Sequence, residues 1–549
     1  MGAKPAKTFT NWSENLSNST KIQYPRSDKD LIKIVREANK KHANISVVGA
    51  GHSISPTVCD SDERHLKLIS LSKYSLLPED LHINHDAMTV TVNAGWSLSK
   101  LYHELNKYRY FLDTQPASAA FNIAGLIQTP VHGARLGASH LADSLLQLRL
   151  IDDKGEIVYK RMTDPDFWYY PLSCGIFGII TSLTFKIYKH ENFTLQTSTH
   201  SFPTDTSSLD LKDPLNQFFL SCIRKCIDGL KGDCAKVDDV KQVEHAQCFF
   251  DLHASKILCL KWVESSHINE AKEWTEPTSV WKNSLLESFL KTIDSDYRQS
   301  PLTLSLISKF ARHTIGQNVE KDFSTNRDLF WLSSAVRAFF MEYYIPIWTE
   351  PIEKDTPKNT VSLVDYEDHS SDEDACDGLD IRLEPLYKAI NVVIKATKRA
   401  KKAGKLFIPD LPCEFRFVVS SSCKLSPIYS EKKIVYLGIE IPCLAAGLSL
   451  NPGGSTETSS TSQTDSDTEI GSDLNSDFFE FYSQVEKGWQ NLGGQPHWGK
   501  LFGFNCDHVR TDSIFNCSHL LDHQVQILLQ SLAPKMFIND FAKKILGIP

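Results

Sequence analysis

The chain has 549 residues, of which 41% are hydrophobic and 10% aromatic, and it carries a net charge of −8. This composition is typical of a soluble globular protein with a large core. It lacks the basic stripe that binding to nucleic acid or to acidic membranes needs, so we expect neither partner. The longest apolar run, around 172–185, is too short and too glycine-rich to span a membrane.

Thirteen cysteines are dispersed along a chain that begins Met1-Gly2-Ala3-Lys4-Pro5 without an apolar leader. This pattern predicts reduced thiols and a cytoplasmic location. Cys222, Cys226 and Cys234 lie close together but lack paired Cys-x-x-Cys spacing and a nearby histidine, so we expect no metal.

The first predicted elements lead into a glycine turn. Ser27 and Asp30 have capping-box spacing, and apolar residues then recur at helical intervals. A predicted buried strand, Ile45–Val48, precedes Gly49-Ala50-Gly51-His52-Ser53, whose glycines let successive N–H groups face an anion. Pro56 blocks the helix that a dinucleotide fingerprint would open. Alone, the loop predicts either an anion site or an ordinary turn.

The next elements continue this alternation of strand and helix. Thr89–Asn93 alternates with period two, breaks at Gly95 and restarts as a helix near Ser97. Several later glycines would let the backbone approach an extended ligand closely. An apolar strand lies beside them. These glycines and strand residues are Gly125, Gly133, Gly137, Gly175, Gly178, Ile179, Ile180, Leu183 and Phe185.

Three segments in order resemble the flavin-binding domain of the vanillyl-alcohol oxidase superfamily, also called PCMH-type, with the sugar-lactone and alditol oxidases as the nearest branch. They are Gly49–Ser53, Ala124–Gly133 and Asp164–Thr181, the last ending in Gly-x-x-Gly-x-x-Thr. The resemblance implies FAD as cofactor, covalently attached through His52. It implies these flavin-binding residues: Val48, Gly49, Ala50, Gly51, His52, Ser53, Gly125, Thr129, His132, Gly133, Gly175, Gly178, Ile179, Ile180 and His497.

The second half carries residues suited to the chemistry. Leu411–Val418 alternates as a strand, so Glu414 and Arg416 point to one face. Such a pair is often a surface ion pair of little consequence. The sugar-oxidising branch, however, has a Glu-x-Arg strand that faces the substrate, which implies a catalytic role for both residues.

A second motif, Gly493–Lys500, resembles the Gly-Gly-Arg-Pro-His-Trp-Gly-Lys signature of sugar-lactone oxidases, with Gln495 replacing the arginine. This resemblance places Lys500 at the active site. Arg416 and Lys500 would stabilise the developing alkoxide and the reduced flavin. Since a guanidinium stays protonated, a lysine with a depressed pKa is the expected proton acceptor of the two.

Smaller matches lie between these motifs. Phe340–Pro346 and Leu425–Tyr429 resemble a family strand and turn that we expect to be structural. The strand Val435–Pro442 has Glu440 and Pro442 where alditol-oxidising relatives have a histidine and a threonine that face the substrate. Glu440 is therefore a candidate substrate contact, and a polyol substrate should not be assumed.

The loop around His132 departs from the family. Pro130 and Val131 stand where relatives have smaller residues beside the flavin, which leaves the reaction with oxygen open. Arg135 replaces a small residue and is expected either to contact a phosphate or to lie in solvent.

The expected fold is α+β, with a two-subdomain PCMH-type FAD-binding domain and an α+β substrate (cap) domain built on an antiparallel sheet. The cap holds an acidic insertion, 353–380, and a Ser/Thr-rich insertion, 451–477, that we expect to be disordered. The predicted divisions are an N-terminal extension at 1–19, the FAD-binding domain at 20–190, the cap at 191–477 and a C-terminal segment at 478–549 that completes the flavin site.

The leading hypothesis is an FAD-dependent oxidoreductase that oxidises a CH–OH group of a sugar-1,4-lactone or related polyol, with the flavin reoxidised by O2 to give H2O2. The alternatives are a dehydrogenase that passes electrons to a carrier, an enzyme of sugar-nucleotide or lipid-linked sugar metabolism, and a catalytically retired flavoprotein scaffold. We expect a small-molecule substrate and a monomer or small homo-oligomer.

Overall fold

The computed structural model describes residues 8–58, 66–116, 119–189, 192–203, 209–231, 243–264, 322–324, 337–350, 381–445, 448, 450, 465–505 and 523–548. The helices in these ranges are α1 Asp28–Lys41, α2 Leu98–Asn106, α3 Ile123–Leu126, α4 Pro214–Lys231, α5 Glu384–Lys402, α6 Asp465–Gln490, α7 His523–Leu532 and α8 Asp540–Leu546. The strands are β1 Phe9–Thr10, β2 Ser17–Asn18, β3 Asn44–Val47, β4 Leu66–Ile69, β5 Leu81–Asn84, β6 Thr89–Asn93, β7 Tyr110–Phe111, β8 Leu145–Ile151, β9 Ile157–Arg161, β10 Ile179–Lys186, β11 Tyr188–Lys189, β12 Asn192–Ser201, β13 Glu244–Asp251, β14 Lys256–Glu264, β15 Asp322–Ser324, β16 Ala338–Thr349, β17 Cys413–Val419, β18 Ile434–Leu444 and β19 Gln495–Pro496.

Helix α1 delivers the chain into the glycine loop. The Ser27 side chain accepts a hydrogen bond from the backbone N–H of Asp30 and caps the helix, which confirms the predicted helix start. Its apolar stripe is buried, and strand β3 then pairs in parallel with β4. The loop from Gly49 to Ser53 follows the end of β3 directly.

A second subdomain is a five-stranded antiparallel sheet with strand order β5-β6-β10-β8-β9. Strand β6 has the predicted limits, and Ser97 caps α2 by accepting from the N–H of Lys100 at 3.2 Å. The two small sheets therefore form the two-subdomain arrangement expected for an FAD-binding domain.

The second half of the chain builds an eight-stranded antiparallel sheet with strand order β15-β12-β14-β13-β17-β18-β16-β19. Helix α4 packs against β17 and β18, and helices α5 and α6 pack against β16. Phe415 and Phe417 face this helical layer, with ring centroids 6.0 and 6.4 Å from that of Phe219 on α4. Since side chains alternate along a strand, Glu414 and Arg416 point to the opposite face.

The C-terminal part of the chain returns to the first half. The N–H of Ile54, just beyond the glycine loop, donates to the carbonyl of Gly499 at 2.9 Å. Asn539, which caps α8, donates from Nδ2 to the carbonyl of Thr57 at 3.1 Å. These bonds hold the open face of the large sheet against the glycine loop.

Part of the predicted disorder is wrong. Helix α6 begins at Asp465, so residues 465–477 of the Ser/Thr-rich insertion are helical. The physical reason is an apolar stripe at helical spacing, Leu474, Phe478, Phe481, Tyr482 and Val485, which is buried in the core. Residues 451–464 and the acidic insertion at 353–380 lie outside the described residues.

No helix in the described part of the chain is both long enough and apolar enough to cross a membrane. The cysteines found in that part, eight in number, are all free thiols.

Candidate active site

A cavity of about 370 Å³ lies between the glycine loop and the open face of the large sheet. The predicted catalytic residues Glu414, Arg416 and Lys500 all line it, and so does Glu440. Most predicted flavin-binding residues line the same cavity, namely Val48, Gly49, Ala50, Gly51, His52, Ser53, Gly125, Thr129, His132, Gly175, Gly178, Ile180 and His497. Residues far apart in sequence therefore share one site.

Two predicted flavin-binding residues lie away from the cavity lining. Ile179 is fully buried on β10, where the alternation of the strand turns the neighbouring Ile180 toward the cavity instead. Gly133 packs against the backbone of Gln115, and a Cβ at this glycine would lie 2.3 Å from the Gln115 carbonyl oxygen. Its role in the structure is close backbone packing.

Glycines shape one wall of the cavity. Gly51 has a φ of 72°, in the left-handed region that favours glycine. A Cβ added at Gly125 or at Gly175 would meet no protein atom within 4 Å, although both residues line the cavity. The backbone at these two positions therefore borders open space that a ligand can occupy.

The N-terminal segment, residues 8–18, covers the glycine loop. The N–H of Trp12 donates to the carbonyl of Gly51 at 2.7 Å, and the Asn11 side chain donates to that of Ser53 at 3.0 Å. Trp12 also lines the cavity, with its ring centroid 5.8 Å from that of His52 and nearly parallel to it. This part of the predicted extension therefore belongs to the site, and sequence reasoning missed it.

His52 lies in an aromatic setting. Besides Trp12, the Phe121 ring meets it edge-on with centroids 4.7 Å apart. Burial, aided by the positive charge of Lys500, lowers the pKa of His52 to about 4, so the ring is neutral at pH 7. Within the described chain, its buried Nδ1 has no hydrogen-bond partner.

Three glutamates lie in register across neighbouring strands of the large sheet. Glu414 on β17 is opposite Glu440 on β18, and Glu440 is opposite Glu342 on β16. We call these three residues the carboxylate row. Like charges directly opposite each other destabilise a sheet, so each carboxylate needs a compensating partner.

Each member of the carboxylate row has a different partner. Arg416 Nη2 forms an ion pair with Glu414 Oε1, Lys500 Nζ lies 2.8 Å from Glu440 Oε2, and His132 Nε2 lies 2.5 Å from Glu342 Oε1. The row thus combines three carboxylates with two permanent cations and one imidazole.

The predicted depressed pKa of Lys500 is wrong. Burial alone lowers the pKa of this ammonium, but the negative charges of Glu440, Glu342 and Glu414 outweigh burial and raise it above its usual value. Lys500 is therefore held protonated. For Glu440, burial and the repulsion from Glu342 and Glu414 outweigh the attraction of Lys500 and raise the pKa to about 7.

Two histidines and a tyrosine pack beside the carboxylate row. Gly438, opposite Arg416 in the sheet, leaves room for the His132 ring, because a Cβ there would lie 3.3 Å from its Cε1. Tyr344 donates from its hydroxyl to the carbonyl of Pro130 at 2.7 Å and stacks on His497. His497 Nδ1 accepts from the N–H of Gly499 at 3.0 Å.

The sequence predicts that Pro130 and Val131 lie beside the flavin and that Arg135 contacts a phosphate or lies in solvent. Val131 lines the cavity, whereas Pro130 does not and instead accepts the Tyr344 hydroxyl. Arg135 neither lies free in solvent nor lines the cavity, because its guanidinium forms an ion pair with Asp113.

Glu342 is a second residue that sequence reasoning missed. The sequence predicts a structural role for the strand Phe340–Pro346, but Glu342 lines the cavity and is buried beside His132. The available signal was the residue type itself, because a glutamate inside an apolar strand is almost never buried without a partner.

The chain is similar to known proteins over its first part and, at lower identity, along almost its whole length. Residues 20–159 match the family described as "FAD binding domain". The chain is 29% identical to a D-arabinono-1,4-lactone oxidase of Eremothecium gossypii, over 33% of this chain and 34% of that protein. It is 24% identical to an L-gulono-1,4-lactone dehydrogenase of Mycobacterium tuberculosis, over 98% of this chain and 99% of that protein.

The fold has a counterpart among solved structures. A cholesterol oxidase from B. sterolicum superposes with a TM-score of 0.64 at 13% identity, covering 98% of this chain and 96% of the other. At this identity the similarity shows a shared fold alone. Residues 20–159 thus match an FAD-binding domain, and the sequence relatives are named as sugar-lactone oxidases and dehydrogenases.

Proposed function

We propose that the protein oxidises a CH–OH group of a sugar-1,4-lactone or a related polyol by hydride transfer to FAD. The observation that carries this proposal is the presence of two ion pairs, Arg416–Glu414 and Lys500–Glu440, in the cavity that the glycine loop also lines. Two fixed cations on one wall suit a reaction in which negative charge develops on a substrate oxygen. The names of the relatives support the choice of a lactone.

The residues present fit FAD. The open space beside Gly125 and Gly175 suits a flat ring system, and the N–H groups of the Gly49–Ser53 loop suit a pyrophosphate. His52 lines the cavity between two aromatic rings, and its buried Nδ1 has no hydrogen-bond partner within the described chain. We infer that His52 carries the flavin covalently, because its ring is neutral, nucleophilic and free of competing hydrogen bonds at that nitrogen.

The protein side chains act on the substrate hydroxyl. When bound, FAD supplies the acceptor for a hydride. Arg416, oriented by Glu414, and Lys500, held charged by Glu440, stabilise the oxygen as it loses its proton. Because both cations are anchored before the substrate arrives, little reorganisation is needed in the transition state.

The electron acceptor is proposed to be O2, which yields H2O2. A dehydrogenase that passes electrons to a carrier is the second candidate, and it is favoured by Val131, a branched side chain that lines the cavity beside His132. Measuring H2O2 formed per substrate oxidised in air separates the two: a ratio near one supports the oxidase, and a ratio near zero with turnover by an artificial dye supports the dehydrogenase.

The direct test is anaerobic reduction of the purified yellow protein by a panel of sugar-1,4-lactones, followed by flavin absorbance. We expect bleaching with at least one lactone. The corresponding open-chain aldonates and simple alcohols serve as comparison compounds. A protein that binds FAD but is reduced by no lactone, polyol or sugar nucleotide would favour the retired-scaffold alternative.

A further inference from the structure

We propose that Glu440 is the residue that accepts the proton of the substrate hydroxyl, while Lys500 remains a charged partner beside it. This inference rests on the proposed function, since it assigns the proton acceptor for that reaction. It is carried by the position of Glu440 in the middle of the carboxylate row and by the partners that occupy the other candidates.

Lys500 cannot take the proton. Its Nζ lies 2.8 Å from Glu440 Oε2, and the charges of Glu440, Glu342 and Glu414 keep its pKa above the usual value. An ammonium has three donors and no lone pair. Lys500 can therefore donate to the substrate oxygen but cannot accept a proton from it.

The other two carboxylates of the row each hold a partner on Oε1. Glu414 is bound by the guanidinium of Arg416, which stays protonated in proteins. Glu342 is bound by His132 at 2.5 Å, its side chain is only 6% exposed, and although burial opposes this, the nearby histidines lower its pKa. Each of these two carboxylates therefore already has a partner on its Oε1.

The histidines of the cavity are also unsuited. Burial lowers the pKa of His52 to about 4 and that of His497 to about 3, so neither ring readily gains a proton at neutral pH. His497 Nδ1 already accepts from Gly499, and His132 Nε2 is bound to Glu342.

Glu440 is the member of the carboxylate row that has another carboxylate on each side, and Lys500 contacts only one of its oxygens. Lys500 contacts Oε2, and within the described chain no hydrogen bond reaches Oε1, although the side chain lines the cavity with 14% exposure. The groups that face it are Glu414 and, behind it, Arg416 on β17, Glu342 with its partner His132 on the β16 side, and Lys500 after β19.

The position of Glu440 between two carboxylates also raises its affinity for a proton. Burial and repulsion from two flanking carboxylates outweigh Lys500 and raise the pKa of Glu440 to about 7. A general base is most effective when its pKa lies near the working pH. Protonation of Glu440 also relieves the repulsion within the row.

Glu440 takes the hydroxyl proton while the carbinol carbon loses a hydride. The O–H bond of the carbinol breaks and its proton forms a bond to Oε1 of Glu440, which becomes a neutral carboxyl. The C–H bond breaks and its electron pair leaves with the hydrogen as hydride for the bound flavin, which is reduced by two electrons. The carbinol carbon is oxidised to a carbonyl, and the proton on Glu440 later returns to solvent.

The first test is the pH dependence of anaerobic flavin reduction in Glu440→Gln and Lys500→Met. For the wild type we expect a rate that rises with pH through an apparent pKa near 7. Glu440→Gln should lose about 100- to 10,000-fold in rate and the rising limb with it. Lys500→Met should also be slow but keep a rising limb, shifted to higher pH because a cation beside Glu440 is gone.

The second test needs no turnover. The folded pKa of Glu440, about 7, lies above the ordinary 4.5, so the folded state binds more protons between these values and this group costs stability as the pH rises. The melting temperature of the wild type minus that of Glu440→Gln should therefore fall from pH 4.5 to pH 7.

These measurements separate the two proposals. A Glu440→Gln protein that keeps the wild-type rising limb, or whose melting temperature tracks the wild type at every pH, overturns the assignment of Glu440 and leaves the proposed function standing. A wild-type holoenzyme that no lactone or polyol reduces overturns the proposed function together with this inference.

Discussion

Nε2 of His132 donates to Oε1 of Glu342 across 2.5 Å, with both side chains about 5% exposed. An ionised carboxylate only accepts, so the ring nitrogen is the donor. His132 comes from the loop after α3 in the FAD-binding half, and Glu342 lies on β16 of the large sheet. This single contact therefore links the flavin-side loop to the sheet that carries the carboxylate row.

Breaking this link should destabilise the protein. We expect Glu342→Leu to reduce the free energy of unfolding by about 1 to 3 kcal/mol, because it leaves a buried donor on His132 without an acceptor. Urea unfolding followed by tryptophan fluorescence measures the change. Glu342→Gln should cost less, since the amide oxygen still accepts from His132.

An exposed pair provides the control for that experiment. Glu384 and Lys388 form an ion pair on the surface of α5, with side chains 61% and 58% exposed. We expect no measurable change in stability for Glu384→Gln, since solvent screens such a pair. An equal loss in the Glu342 and Glu384 variants would contradict the importance of the buried link.

His52→Ala should release the flavin. If His52 carries the covalent bond, acid precipitation of the wild type leaves a yellow pellet, whereas His52→Ala leaves its flavin in the supernatant. Absorbance of both fractions measures this. Free flavin from the wild type would rule out the covalent attachment, while a colourless wild-type protein would contradict flavin binding as purified.

His497 should make the protein sensitive to acid. Its folded pKa of about 3 lies below the ordinary 6.5, mainly through burial, so the unfolded chain binds more protons between these values. Its contribution to stability is present above pH 6.5 and is lost as the pH falls toward 3, at up to about 1.4 kcal/mol per pH unit.

The variant His497→Asn tests this dependence. Its amide oxygen can accept from the N–H of Gly499, as Nδ1 does in the wild type. We expect the melting temperature of the variant to fall less steeply with acid than that of the wild type. His82→Asn, at a side chain that is 61% exposed, should change nothing. Parallel acid profiles for wild type and His497→Asn would refute the prediction.

The sequence predicted local elements well and partners poorly. Capping and alternation gave α1, β6 and the faces of β17, because these depend on neighbouring residues. The pairing of Lys500 with Glu440 depends on which strands lie side by side, and no local pattern encodes that register. Because the sequence does not show that Lys500 lies beside Glu440, it also led to the wrong direction for the pKa shift of Lys500.

Distance in sequence explains the other misses. Trp12 and His52 are joined by a tertiary contact, and a short segment before the first helix gave no signal of its own. Residues 465–477 have the composition of a disordered stretch, but Leu474 continues an apolar stripe whose other members come later in α6. The average composition of the segment hides this single apolar residue, so the helix is not recognised.

Trp12→Ala should weaken flavin binding. The Trp12 ring lines the cavity and stacks on Phe340, whose centroid lies 6.3 Å away, and both contacts persist when His52 is replaced. In a His52→Ala background, where no covalent bond can mask the effect, we expect FAD to dissociate about 10-fold more readily. Equilibrium dialysis measures this. Leu77→Ala, at a side chain that is 81% exposed, is the matched control. Equal affinity in both would remove Trp12 from the site.

Arg416→Lys tests whether the reaction needs only the positive charge of Arg416 or also the planar geometry of its guanidinium. Lysine keeps the positive charge but lacks the planar guanidinium that holds Glu414 through Nη2. If the orientation of the cation matters, the rate of flavin reduction should fall about 100-fold or more, although the net charge of the site is unchanged. Stopped-flow absorbance under nitrogen measures the rate. Arg337→Lys, at an exposed ion pair with Glu14, should retain full activity.

Chemical rescue of Arg416→Ala distinguishes the two roles further. If this variant recovers part of its activity when guanidine is added but not when an alkylamine is added, the planar guanidinium itself is required. Equal recovery with both would reduce the role of Arg416 to a point charge.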